Sequence, residues 1–95
     1  MEHNLHLEKN ELEISNFIST ITIGLSLLTD VSYLMQQICI FEQKLDVIIS
    51  TLSDDDKCKL KKRFENLRYS IITHPNYIPK HNKILGQLQY FENIL

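Results

Sequence analysis

From Ile14 to Leu52 apolar residues recur every three or four positions without a slip of phase. No other feature of the sequence restricts its folding as strongly. Ile14, Phe17, Ile18, Ile21, Leu25 and Leu28, then Val31, Leu34, Met35, Ile38, Phe41, Leu45, Ile48, Ile49 and Leu52, trace the stripe of an amphipathic helix. Only two glycines and two prolines are present, too little turn chemistry for many short strands. One stretch, FISTITIGLSL, alternates like a strand and contains β-branched residues. Helix is favoured there because the stripe continues on both sides and an isolated strand would lack a partner. Thr29-Asp30 can cap a second helix, so residues 11–52 form either one long bent helix or a two-helix hairpin. The hairpin lets both apolar faces meet within the monomer. The single helix would need the last third of the chain or another subunit.

The remaining boundaries follow from capping chemistry. Asn10, with Glu13 three residues on, predicts a helix start, and residues 1–9, which lack a pattern, are expected to be loosely ordered. Ser53 followed by Asp54-Asp55-Asp56 predicts the next start, with carboxylates where the helix dipole favours them. That helix presents Leu60, Phe64, Leu67, Ile71 and Ile72 and ends near Thr73-His74, because Pro75 disfavours helical geometry before it. Pro79 suits the first turn of the last helix, which carries Ile84, Leu85, Leu88, Phe91, Ile94 and Leu95. The 95 residues suffice for one cored domain. The fold class expected is all-α: a small antiparallel helical bundle of three or four helices in a single domain, 1–95.

Composition narrows the function classes. A net charge of -2 gives no general attraction to nucleic acid or an anionic membrane. Asp30 is the only charge between Ile14 and Phe41, yet the polar residues there leave no run of about 20 predominantly apolar residues for a span. Cys39 and Cys58 stand far apart, and without a secretory leader pattern a reduced cytoplasmic chain is expected. Cys39 beside Ile38 reads as a small core residue; Cys58 among lysines could be a reactive thiol if exposed. His74 and His81 are separated by two prolines, and His3 and His6 lie at the unpatterned start. No set of three or four converging ligands is visible, so no metal and no cofactor are expected. His74 is expected to help end its helix as an imidazolium near the last carbonyls. With no glycine-rich phosphate loop or nucleophile motif, the chain reads as a non-enzyme.

Two features point outward. Lys57 to Arg63 holds five basic residues, but Asp54, Asp55, Asp56 and Glu65 leave only +1 over residues 54–65 (five minus four), which fits a solvated helix face better than a phosphate-binding stripe. Gly86 interrupts the last helix at a cost of about 1 kcal/mol relative to alanine, which suggests close approach of another backbone. Tyr77 and Tyr90 either form contact area of the kind interfaces favour or close the edge of the core.

The segment HPNYIPKHNKILGQLQYFENIL, His74 to Leu95, resembles part of a bacterial immunity-protein family: those paired with type VI secretion effectors that hydrolyse NAD(P)+, and relatives from contact-dependent growth inhibition systems. The matching positions are His74, Pro75, Asn76 and Tyr77, then Gln87, Leu88 and Tyr90, then Ile94 and Leu95. In those proteins the helical hairpin stands near the start of the chain; here it is at the end. The resemblance implies a cytoplasmic, all-helical protein, monomer or homodimer, that binds a cognate protein toxin and covers its active site. Its contact residues would be His74, Asn76, Tyr77, Gln87, Tyr90 and Glu92. Two other roles are compatible with the residues: a phage- or plasmid-type regulatory adaptor, and a helical nucleic-acid-binding dimer using Lys57–Arg63.

Overall fold

The computed structural model describes residues 2–95, with side chains from residue 9 onward. Helices α1 (Glu2–Ser26), α2 (Val31–Ser50), α3 (Asp54–Ile72) and α4 (Asn82–Asn93) follow one another, with a 3-10 turn at Pro79–His81 leading into α4. There is no strand among the described residues, and the alternating stretch at 17–27 is helical through Ser26. The first helix starts at Glu2 rather than Asn10. Asn10 lies inside it and donates from Nδ2 to Thr51 Oγ1 at 2.8 Å, joining α1 to the end of α2.

The stripe from Ile14 to Leu52 divides into two helices at Leu27–Asp30. The end of α1 is a Schellman turn: the Thr29 amide donates to the Gly24 carbonyl and the Leu28 amide to the Leu25 carbonyl. Leu28 holds the left-handed position, with φ of 57°. Glycine normally occupies this position, and a side chain there costs about 1–2 kcal/mol. Asp30 then caps α2 by accepting from the Ser32 amide at 2.7 Å, and Ser53 caps α3 by accepting from Asp56.

Cross-helix contacts fix the topology. Asn10 meets Thr51 and Phe17 meets Phe41, so α1 and α2 are antiparallel. Glu11 meets Arg63 and Ser26 meets His74, so α3 runs parallel to α1. Arg68 meets Glu92 across the antiparallel α3–α4 pair. α1 packs on α2 and α3, and α4 packs on α3 and α2, which leaves α2 and α3 diagonal although they are consecutive in sequence. The result is an up-down-up-down four-helix bundle.

Its centre is aromatic. The chain has four phenylalanines, one per helix, and all of them meet. Phe17 and Phe41 stack with ring centroids 4.0 Å apart, Phe64 stands edge-on to both, and Phe91 completes the group at 5.7 Å from Phe64. Burying each ring contributes about 2–3 kcal/mol before conformational costs, and each favourable pair adds about 0.5–1.5 kcal/mol. Ile21, Leu34, Ile38, Leu45, Ile48, Ile71, Ile84 and Leu88, all fully buried, extend this core toward both ends.

Candidate partner-binding surface

The segment between α3 and α4 spends most of its polar groups on the fold. The Asn76 Nδ2 donates to the Leu25 carbonyl at 3.0 Å and to the Ser26 carbonyl at 3.4 Å. These carbonyls, left over at the end of α1, thereby gain a side-chain partner from the far linker. The Asn76 amide donates to His74 Nδ1 at 3.0 Å, so the ring proton resides on Nε2, 3.4 Å from Ser26 Oγ. His74 therefore organises the turn after α3 by accepting the Asn76 amide. Tyr77, half-buried, hydrogen-bonds through its hydroxyl to Asn82 Oδ1, and its ring lies 6.0 Å from that of His81.

Glu92 also departs from the expected contact set. It is 4% exposed and receives both Nε and Nη2 of Arg68, the latter at 2.9 Å. The guanidinium pKa is raised, first by this hydrogen bond, with burial opposing and the Glu92 and Glu65 charges adding. Glu92 is thus an internal clamp between α3 and α4 and has no free face for a partner.

Gln87 and Tyr90 are placed differently. They follow Lys83 by four and seven residues and so share its flank of α4, with Tyr90 about half exposed. Lys83 borders an open groove of about 620 Å³ between α4 and α2, whose other wall is Val31, Ser32, Met35, Gln36, Cys39 and Ile40. This wall is apolar at Val31, Met35 and Ile40, and it carries no charge. Cys39 is an exposed free thiol on it, and Cys58 is likewise free and exposed; the expectation of a buried Cys39 is corrected by one residue's rotation from Ile38, which is fully buried. Ile40 and Val47, one heptad apart on α2, are both at least half exposed.

These outward α2 residues were not separable from the core in the sequence, because an apolar residue on the outer side of a stripe looks like one on the inner side. The available signal was the scarcity of charge from Ile14 to Phe41, which leaves a solvent face of α2 without the usual Lys and Glu. The basic run on α3 contrasts with it. Lys59 pairs with Asp55 at 3.2 Å, both largely exposed, and Arg63 forks onto Glu11 with two contacts of 3.0 Å.

Among the described residues no three His, Cys, Asp or Glu side chains are grouped to hold a metal ion, and no helix is long and apolar enough to cross a membrane; His3 and His6 lie outside the described side chains. Fold and surface together define an all-α four-helix bundle with an open groove between α2 and α4 whose α2 wall carries no charge. Comparison with protein-family models, curated proteins and solved structures gives no match.

Proposed function

We propose that this chain is an immunity protein: a stoichiometric binder that neutralises a cognate bacterial toxin by covering the toxin's active site. The observation that supports binding is the α2–α4 groove, where Met35, Cys39 and Ile40 lie across from Lys83, whose flank of α4 continues to Gln87 and Tyr90. An apolar centre with aromatic and amide groups at its margin is the composition of a protein contact surface. The toxin as partner rests on the resemblance of His74–Leu95, which also suggests an NAD(P)+-hydrolysing effector. Within that segment, Gln87 and Tyr90 are the contact residues, while His74, Asn76, Tyr77 and Glu92 support them by fixing α4 to the bundle.

The reading is tested by co-purifying the protein with the products of adjacent genes, then measuring NAD+ consumption with and without it. A neighbouring protein that binds and loses its activity in a one-to-one complex is the expected result. A neighbour that is not bound, or whose activity continues when bound, overturns the proposal.

A further inference from the structure

The two connections at one end of the bundle carry apolar side chains into solvent. Leu27 and Leu28, in the α1–α2 turn, are 72% and 74% exposed. Ile78, in the α3–α4 linker, is 45% exposed, and Ile72 at the end of α3 is 51% exposed. Asn76 ties the two connections together through the Leu25 and Ser26 carbonyls, so these side chains form one tip and not two separate loops. Leu28 stands out because it is the left-handed residue of the turn. Glycine there would relieve the backbone and remove an exposed apolar side chain, so neither folding nor solubility accounts for leucine.

Between the connections lies a cleft of about 480 Å³ whose lining includes Leu28, Ile78, Lys80, His81 and Lys83. His81 is 5% exposed. Its Nδ1 accepts from the Ile78 amide at 2.9 Å, which puts the ring proton on Nε2, a donor with no protein partner among the described residues. The cleft therefore offers two ammonium groups and an imidazole N–H behind an apolar rim. The one carboxylate lining it, Asp30, is engaged at the start of α2. The opposite end of the bundle carries Asp54, Asp55 and Asp56.

We infer that this tip docks on an anionic lipid bilayer, with Leu27, Leu28, Ile72 and Ile78 entering the headgroup–acyl boundary and Lys80 and Lys83 meeting lipid phosphates. The arrangement follows the general requirement for reversible surface binding, in which modest apolar burial and cationic attraction act together. The α2–α4 groove shares Val31 and Lys83 with the tip cleft and continues from there along α2 to Ile40.

Vesicle co-sedimentation tests this. The intact protein should partition onto vesicles of phosphatidylcholine and phosphatidylglycerol in equal parts, and at least tenfold less onto phosphatidylcholine alone. Leu28→Gly should unfold at the same or a higher temperature yet bind the mixed vesicles about tenfold more weakly, as loss of one inserted leucine requires. Lys80→Gln with Lys83→Gln should reduce binding on mixed vesicles to the phosphatidylcholine level. Absence of partition, equal partition onto both vesicle types, or undiminished binding by a folded Leu28→Gly chain overturns the inference. So does vesicle-independent self-association that Leu28→Gly abolishes, which would assign the tip to a second copy of the chain.

Discussion

Arg68 on α3 grips Glu92 on α4 with two nitrogen donors, and Glu92 is almost wholly withdrawn from water. Removing the arginine while keeping the carboxylate leaves a buried charge without its partner, a large penalty. Because Arg68 retains 24% exposure, water offsets part of it. Arg68→Met is expected to destabilise the fold by about 2–3 kcal/mol, and Glu92→Gln, which keeps hydrogen bonding, by about 1 kcal/mol. The double substitution Arg68→Met with Glu92→Leu should be less damaging than Arg68→Met alone. Urea denaturation of the four chains checks this order. The raised pKa of Arg68 places its own titration above the ordinary guanidinium range. Through the guanidinium's own titration the contribution is complete below that range and is lost only as the pH rises through the raised value, so buffers near neutrality leave it constant.

The two glycines respond in opposite directions to alanine. A Cβ at Gly24 would lie 2.5 Å from Leu34 Cδ2, so the fully buried Leu34 side chain would have to shift. At Gly86 nothing lies within 4 Å. The sequence suggests a close backbone approach at Gly86, but none is there; the close neighbour is at Gly24, where the Leu34 side chain of α2 packs against α1. Gly24→Ala is expected to cost about 1 kcal/mol net, the clash outweighing the helix-propensity gain. Gly86→Ala should gain about 1 kcal/mol. Thermal unfolding followed by circular dichroism separates them by sign.

The helices were legible in the sequence to the extent that their caps were ordinary. Ser53 with its three aspartates and the Pro75–Pro79 pair marked α3 and α4 plainly. The α1–α2 break remained undecided because its left-handed residue is Leu28 and not glycine, so the usual punctuation is missing and the apolar phase continues through it. The start of α1 was misplaced because Asn10, a good cap residue, uses its amide on Thr51 in a contact made only by folding. The contact set was mixed for a similar reason. Nothing local distinguishes Glu92, which turns toward Arg68, from Gln87 and Tyr90, which share the flank of Lys83.

Leu28→Gly removes the strain of a side chain in the left-handed region, although glycine also raises the entropy of the unfolded chain. The balance should stabilise the protein by about 0.5–1 kcal/mol, raising its unfolding temperature by a few degrees.

Asn76→Ala deprives the Leu25 and Ser26 carbonyls of their side-chain donor and frees the α3–α4 linker from α1. A loss of about 1–2 kcal/mol is expected. Amide hydrogen exchange should quicken in the last turn of α1 and at residues 74–78 while the Phe17–Phe41 layer remains protected.

Binding of the intact protein to a toxin from the same gene neighbourhood, compared with Ile40→Glu and Glu92→Gln, tests the central claim most directly. Ile40 is half exposed in the groove, so a glutamate there leaves the core untouched. Isothermal titration should show Ile40→Glu weakened at least a hundredfold, about 2.7 kcal/mol, with Glu92→Gln close to the unaltered protein. Equal binding by Ile40→Glu, with binding lost only on Glu92→Gln, would contradict the account.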